Sequence, residues 1–437
     1  MRRKGTGSIV PLMPGARDDR RAYFAIAGLI ALGVAVRMLV LRSVGFPADV
    51  STFEAWAQHL VQVGPAAFYS PDYLRDFPPD YPPVYLYVLW VFGTLFDGEL
   101  LRLAVKAVSI PADVAIAIGA ALLTWRHAGR MSAILAAGLW SLSPGPIFAG
   151  PYWGQMDALG SLPLFASLVA GGYGRWATAG TFAALAAMVK PQFGIGAIVI
   201  GASVLIELIR QREWRPLVRA GIAGLVTVLA VGAPFRAGPA ELLELAKRSA
   251  EFYPFTSLFA FNVWSVIGGF YEPDQAFVVY GAALLVVGLF LACVPLWWRR
   301  DTPTLLAAGA LAAFAIYFLP TRAHERYLFG ALVLLIPFAA TRARLLWPYV
   351  WLSLSFAVTL YFAFTRFAQT DLKAPGWLEE TFFTRGGQVS LAAFMIATAG
   401  LVIWRLVRGE ARLEPSPDRT FTLPPHAPGT MRSNARR

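Results

Sequence analysis

The chain has 437 residues, of which 57% are hydrophobic and only 15% are charged, against about 45–50% and about 25% in soluble domains. With a mean hydropathy of +0.56, this composition excludes a disordered protein, a fibrous repeat and a soluble enzyme. The net charge is +12, and most of it lies in short segments and tails between long apolar runs, where it sets membrane topology rather than nucleic-acid binding. The sequence therefore predicts an all-α polytopic membrane protein.

Apolar runs predict twelve membrane-spanning helices. In chain order these runs cover roughly residues 22–41, 103–125, 131–149, 155–172, 176–190, 192–209, 218–234, 276–298, 303–319, 327–340, 344–364 and 388–406. One further apolar segment, residues 83–97, is shorter than the roughly 20 residues that a spanning helix needs.

The distribution of positive charge decides how segment 83–97 is treated. The basic residues of 1–21 place the N-terminus in the cytoplasm. If 83–97 does not cross, the arginine-bearing loops at 126–130, 210–219 and 299–300 also face the cytoplasm, and if it crosses, all of them face outward. We therefore predict twelve spans with both termini inside, and an interfacial helix at 83–97, which suits its tyrosine and tryptophan content.

The predicted organisation is a single membrane domain with two polar ends. It consists of a basic cytoplasmic N-terminus, a transmembrane domain with two long outward loops, and a disordered cytoplasmic tail, over residues 1–21, 22–406 (loops about 42–102 and 235–275) and 407–437. The single cysteine, Cys293, excludes a disulfide within the chain, and the four histidines are scattered, so no metal site is expected.

The first outward loop carries the first candidate site residues. Apolar residues recur at helical spacing over 51–63, which predicts an amphipathic helix on the membrane surface. Asp49 lies at its start, so it is either a helix cap or a functional carboxylate. Asp80 and Tyr81 come just before two prolines that force an extended turn. Asp80 is likewise either a cap of the interfacial helix or a functional group.

Further polar residues lie at later membrane boundaries. An aromatic belt explains Trp153, but it does not explain Gln155 or Asp157. A charge near the apolar phase costs about 2.5–3.5 kcal/mol at mid-helix and normally marks a function. Lys190 ends one predicted span and Gln192 opens the next; for Lys190, snorkelling is the alternative to a functional role.

Asp113 lies inside a predicted span, close to a proline. A carboxylate at that depth needs an internal partner. Lys106 and Lys190 are the candidates for this partner.

The most charged outward turn contains Arg322, His324, Glu325 and Arg326. Outward loops are normally poor in arginine, so this cluster is either a structural salt-bridge group or an anion site, since arginine binds phosphate oxygens in a bidentate fork. The long second loop adds Asn262. Basic residues, carboxylates and aromatic residues beside a membrane bundle suit a ligand with an anionic headgroup and a lipid tail, and a nearby carboxylate can act as a base.

Several of these residues form motifs that follow one another over roughly residues 20–340. The motifs are Asp49 with Trp56, Asp80-Tyr81-Pro82-Pro83, Trp153-Gly154-Gln155-Met156-Asp157, Lys190-Pro191-Gln192, Asn262-Val263-Trp264 and Arg322-Ala323-His324-Glu325-Arg326-Tyr327. In this order they resemble the bacterial membrane mannosyltransferases related to the eukaryotic GPI-anchor mannosyltransferase II. More distantly, the chain resembles the endoplasmic-reticulum glucosyltransferases that use dolichyl-phosphate glucose. Both families belong to the GT-C superfamily.

The resemblance implies a GT-C bundle that transfers a hexose, with mannose favoured, from a polyprenyl-phosphate-linked donor to the hydroxyl of a lipid or glycan acceptor. It implies transfer on the non-cytoplasmic face of the plasma membrane, with inversion at the anomeric carbon and without a metal or other cofactor. Asp49 matches the position of the family's catalytic base. Arg322, His324, Arg326 and Lys190 are the candidates for binding the donor phosphate.

Two other classes remain open at this point. A transporter or flippase of lipid-linked sugars would use Asp113 and Asp157 as coupling groups, although no two halves of the sequence repeat. A ligase or polymerase of surface glycans would use a lipid-diphosphate donor. The ordered motifs favour a monophosphate donor.

Overall fold

The protein is built from helices. The structure, a computed structural model, describes residues 14–70, 79–366 and 372–410. The ends of the predicted N-terminus and tail, residues 1–13 and 411–437, lie outside the described residues. Within the described ranges every named element is helical, and extended pairing is limited to isolated bridges. The predicted all-α fold is therefore confirmed.

The α-helices of the described chain are numbered α1–α19 in chain order. They are Pro14–Val40, Pro47–Val63, Pro83–Leu95, Gly98–Ala107, Ser109–Ala128, Arg130–Ser141, Pro144–Ile147, Asp157–Gly172, Trp176–Ala187, Ile195–Gln211, Arg215–Gly232, Pro239–Glu251, Val263–Ile267, Val278–Cys293, Thr302–Phe318, Phe329–Thr341, Ala343–Arg366, Gly376–Glu380 and Arg385–Arg405.

All twelve predicted spans are helical. Eight helical segments of the described chain are long and apolar enough to cross a membrane: Asp18–Val40, Gly98–Ala128, Arg130–Gly154, Pro191–Gln211, Arg215–Phe235, Val278–Trp297, Ala343–Arg366 and Arg385–Gly409. Four shorter apolar helices, α8, α9, α15 and α16, coincide with the remaining predicted spans. A fifth, α3, is the segment expected to lie in the interface, and its placement relative to the membrane stays a prediction.

Close helix packing depends on small residues, as is usual in membrane bundles. Helices α15 and α16 are buried on nearly all sides and form the centre of the bundle. Helix α9 lies directly against α11 because Gly180 faces the backbone of Ala220. A Cβ at Gly180 would come within 2.2 Å of the Ala220 carbonyl oxygen, so the two helices could not approach as closely with a larger residue.

Different polar residues lie at the two ends of the bundle. We call the end that holds Asp49 and Arg326 the site end; these two residues lie 277 positions apart in sequence and form an ion pair there. The opposite end carries the loops predicted to be cytoplasmic. It contains the ion pairs of Arg130 with Asp18, at 3.2 Å, and of Arg300 with Glu207, at 2.7 Å.

An ion pair inside the bundle corrects one prediction. Asp113 on α5 pairs with Arg37 on α1, with 3.0 Å between Oδ2 and Nε, and not with Lys106 or Lys190. Arg37 also donates to the carbonyl of Ser141 on α6. Lys106 donates instead to backbone carbonyls just after α1. The partner was missed because the packing of α1 against α5, not sequence spacing, brings the two charges together.

Candidate active site

Asp49 lies in the first turn of α2 but does not cap the helix. The backbone cap is Phe46, and no side chain caps this terminus. The Asp49 carboxylate turns instead toward the segment before α8. Its Oδ2 accepts hydrogen bonds from Trp153 Nε1 and from Gln155 Nε2, both at 2.6 Å. The helix-cap interpretation of Asp49 is therefore wrong.

Arg326 supplies a third donor to the same carboxylate oxygen. Its guanidinium lies 3.2 Å from Asp49 Oδ2 and 5.4 Å from the centre of the Trp153 ring, on which it stacks. None of the described residues donates a hydrogen bond to Oδ1, and a quarter of the Asp49 side chain, 25%, remains exposed. The arrangement fixes one carboxylate oxygen and leaves the other open to an incoming group.

A short π-helical turn, Phe148–Gly154, places Trp153 against Asp49; such turns often occur at functional sites. Phe46 stacks on the Trp153 ring at 4.7 Å and donates its backbone N–H to the Trp153 carbonyl. Gly154 ends the turn at φ +107°, and a Cβ there would lie 2.7 Å from Val50. A glycine is therefore needed for the chain to pass so close to α2.

Lys190 extends the network away from Asp49. Its Nζ donates to Gln155 Oε1 at 2.8 Å and to Asp157 Oδ1 at 3.1 Å, and it lies 5.0 Å from the centre of the Tyr81 ring. Because Lys190 is buried, the snorkelling interpretation is wrong. Gln155 thus links Asp49 to Lys190, since its amide nitrogen donates to one and its oxygen accepts from the other.

Glu325 pairs with the same terminal nitrogen of Arg326 that contacts Asp49. Its Oε1 lies 3.1 Å from the guanidinium of Arg326, and its other oxygen lies 3.7 Å from Nδ1 of His324. Burial alone would raise the pKa of Glu325, but Arg326 and His324 hold it below its ordinary value. Asp157 Oδ2 lies 3.9 Å from Nε of Arg326. Two cations and three carboxylates therefore form one continuous network.

Arg322 does not join this network. Its guanidinium forms a bidentate pair with Asp274, at 2.7 and 3.2 Å, and also donates to the carbonyl of Ala250. Thr321 donates to the same carboxylate. The charged turn therefore divides, because Arg322 holds the second loop together whereas Arg326 faces Asp49. No sequence signal distinguished Asp274 as a partner.

Two of the other candidate residues lie outside the network. Asn262 caps the short helix α13 by accepting from the backbone N–H groups of Trp264 and Ser265, and it donates to the Tyr317 carbonyl. It therefore ties the second loop to α15. Gln192 lies in the short turn Pro191–Gly194 and is partly exposed.

Asp80 lies beside the network without a helix-capping role. The backbone cap of α3 is Pro82, and no side chain caps this terminus. Burial raises the pKa of Asp80 to about 7; the positive charge of Lys190 opposes this shift and the negative charge of Asp49 adds to it. The described residues contain no group of three or more His, Cys, Asp or Glu side chains placed to hold a metal ion.

The raised pKa of Asp80 gives a pH-dependent contribution to stability. A carboxyl group whose pKa is higher in the folded state stabilises the fold at low pH, and this contribution is lost as the pH rises through about 7. We therefore expect the melting temperature of Asp80→Asn to rise relative to wild type between pH 5 and pH 8. If the melting temperatures of the two proteins change in the same way over that pH range, Asp80 carries no such proton.

Comparison with known proteins finds weak similarity to solved structures. No family model matches the sequence, and no curated protein matches it either. The apo oligosaccharyltransferase of Archaeoglobus fulgidus is 16% identical with a TM-score of 0.48, over 91% of this chain and 57% of that one. ArnT from Cupriavidus metallidurans is similar in its apo state, with 17% identity, a TM-score of 0.45, and coverage of 88% and 73%. ArnT bound to undecaprenyl phosphate gives 16% identity and a TM-score of 0.44 over the same shares.

Proposed function

We propose that the protein is an integral membrane glycosyltransferase that transfers a hexose from a polyprenyl-phosphate-linked donor to an acceptor hydroxyl. One observation carries the proposal: Asp49 is held through Oδ2 by Trp153, Gln155 and Arg326, while Oδ1 stays open at a partly exposed position. A carboxylate oriented in this way is suited to accept a proton from a bound hydroxyl. Mannose is the favoured sugar, on the strength of the sequence resemblance.

The proposed reaction is a single displacement with inversion. The acceptor hydroxyl donates a hydrogen bond to Asp49 Oδ1, and its oxygen attacks the anomeric carbon on the face opposite the phosphate. As the new C–O bond forms, the bond from the anomeric carbon to the phosphate oxygen breaks, and its electron pair leaves with the polyprenyl phosphate. The hydroxyl proton ends on Asp49.

Positive charge beside the reacting atoms is needed because the leaving phosphate gains negative charge. Arg326, Lys190 and His324 are proposed for this role; the first two adjoin Asp49 or its partner Gln155. Asp157 and Glu325 fix the positions of these cations before substrate arrives. Arg322 is committed to Asp274 and acts in this proposal through the loop that it stabilises.

The alternative classes receive less support from the same geometry. Asp113 and Asp157 were the candidates for coupling groups in a transporter, yet each lies in a buried ion pair, with Arg37 and with Lys190. A carboxylate that carries protons or ions must exchange its partner during the transport cycle. A buried ion pair makes such an exchange unfavourable. A ligase or polymerase would use the same general base but a lipid-diphosphate donor.

A transfer assay separates these classes. The purified full chain in lipid nanodiscs is mixed with radiolabelled polyprenyl-phosphate mannose, the corresponding glucose donor or a polyprenyl-diphosphate sugar, with membrane lipid extract as the acceptor. We expect label to move from the monophosphate mannose donor into a product of inverted anomeric configuration. Transfer from the diphosphate donor alone would indicate the ligase class. A transporter would transfer no label but, in proteoliposomes, would move the sugar-linked lipid from one leaflet of the bilayer to the other.

A further inference from the structure

A cavity opens at the site end, and Asp49 does not line it. It has a volume of about 680 Å³ and lies between the segment after α2 and the junction of α11 and α12. We call it the α12 cavity. Its apolar floor includes Phe235 and Leu245, and its rim carries Tyr69, Arg236 and Arg248. An apolar floor with a few polar groups at the rim is typical of a small-molecule site.

The two rim arginines are free to bind an anion. Neither Arg236 nor Arg248 makes a hydrogen bond or an ion pair with any described residue, and both side chains are exposed. Two rim carboxylates lie nearby, but Glu241 is already engaged, because it accepts from the backbone N–H of Gly238 at the start of α12. Glu244 is the other. Two arginines and two glutamates thus line the cavity, and the arginines, which have no partner among the described residues, are the groups that can bind an anion in a bidentate fork.

The α12 cavity lies where a predicted span ends. Its wall contains Phe235, the last residue of the apolar segment Arg215–Phe235, which is long enough to cross a membrane. Helix α12 follows at once and leaves Leu243 73% exposed, and Phe252 just after it is 58% exposed. Apolar side chains exposed next to the end of a span face lipid, as in interfacial amphipathic helices. An amphiphile can therefore enter the cavity from the membrane.

A chain of contacts through Tyr69 and Tyr81 connects the α12 cavity to the network around Asp49. Tyr69 in the cavity wall donates its hydroxyl to the carbonyl of Tyr81 at 2.7 Å, and the Tyr81 ring lies 5.0 Å from Lys190. Lys190 reaches Asp49 through Gln155. A donor phosphate is bonded to the reacting carbon, so it must lie next to Asp49 and not in the α12 cavity, which Asp49 does not line. The α12 cavity is thus placed for the other substrate.

We propose that the α12 cavity binds the anionic headgroup of a membrane-anchored acceptor, with Arg236 and Arg248 holding its phosphate. The acceptor is then a phosphate-bearing lipid with a sugar or polyol headgroup, and its hydroxyl extends past Tyr69 and Tyr81 toward Asp49. The role of this lipid as an acceptor rests on the proposed glycosyltransferase function. Its binding to the cavity requires neither a donor nor turnover.

Photo-crosslinking tests the site directly. The full-length chain in phosphatidylcholine nanodiscs is irradiated with photoactivatable phosphatidylglycerol, which carries a phosphate and a polyol, or with photoactivatable phosphatidylcholine. We expect the anionic probe to label residues 65–70 or 235–248 and the zwitterionic probe to label them far less. Because each charge-assisted contact is strong, the double variant Arg236→Gln, Arg248→Gln should reduce this labelling by about tenfold or more.

Arg212 provides a matched control. It is an exposed arginine with φ 58°, close to the φ 53° of Arg236, and it lies before α11 at the opposite end of the bundle. Arg212→Gln should leave the labelling unchanged. A second variant, Ala240→Trp, narrows the α12 cavity without altering either rim arginine. It should also reduce labelling, which tests the cavity independently of the two charges.

Three results would overturn the inference. They are equal labelling by the two probes, unchanged labelling in the double variant, and full competition by inorganic phosphate at the probe's concentration, which would assign the cavity to free phosphate. The test is independent of the proposed function, because Asp49→Asn should retain wild-type labelling. If the protein transfers no sugar but its labelling still depends on the rim arginines, the proposed function is wrong and the lipid site is retained.

Discussion

Asp49→Asn should lower the turnover of sugar transfer by roughly 10²–10⁴ with little change in donor binding, because the variant loses its general base. Asparagine has the size of aspartate, and its amide oxygen can still accept from Trp153 and Gln155. It cannot take the proton of the acceptor hydroxyl. Steady-state kinetics in nanodiscs would separate the fall in turnover from changes in apparent donor affinity.

Glu54 offers a control on the same helix. It lies five residues after Asp49 on α2 and pairs with Arg102 at 3.1 Å, outside the site network. Glu54→Gln makes the same chemical change, but a pair of this exposed kind contributes only about 0–1 kcal/mol, so turnover should stay near wild type. Near-normal transfer by a folded Asp49→Asn protein would remove Asp49 as the base. Asp80 would then be tested before Asp157, since Asp157 is already paired with Lys190.

The helices could be predicted from the sequence because an apolar run of sufficient length has few alternatives in a membrane. Each predicted span is a helix, including four helices that are individually short, such as α9 and α16. The ends of the helices differ from the predicted ends by several residues where polar turns and apolar runs overlap. One example is α2, which begins at Pro47 rather than near residue 51.

The sequence identified several residues of the network but not its geometry, and three other candidates, Arg322, Asn262 and Gln192, lie outside it. Polar residues at apolar boundaries pointed to Gln155, Asp157 and Lys190, and the structure brings all three together with Asp49. Sequence alone could not decide whether Asp49 caps α2, since capping and catalysis favour the same residue type at the same position. The hydrogen bond from Trp153, which is 104 residues away, decides it.

Long-range ion pairs were the part that sequence could not supply. Asp113 finds Arg37 across 76 positions, and Arg322 finds Asp274 across 48. No local pattern specifies such partners, because they depend on which helices and loops pack together. The α12 cavity was missed for a similar reason. Its lining joins Arg248 of the second loop to residues of the first, such as Tyr69.

The buried pair of Arg37 and Asp113 should be the most sensitive electrostatic contact for stability. Both side chains are almost fully buried, at 2% and 3% exposure. Asp113→Leu leaves the Arg37 charge unpaired inside the bundle, and breaking a buried pair in this way typically costs about 3–5 kcal/mol. We expect a large fall in the free energy of unfolding, measured by reversible denaturation in detergent micelles or bicelles.

The double variant Arg37→Leu, Asp113→Leu separates charge from packing. Replacing both partners by apolar residues removes the unpaired charge, and such replacements are often neutral or stabilising. The pair is incompletely satisfied, since Asp113 Oδ1 and one terminal nitrogen of Arg37 have no hydrogen-bond partner among the described residues. We therefore expect the double variant to recover most of the lost stability, while Arg102→Gln, at the exposed pair, changes it by at most about 1 kcal/mol. If the double variant is as unstable as Asp113→Leu, the contribution comes from the hydrogen bonds of Arg37 to backbone carbonyls such as that of Ser141, and not from the ion pair.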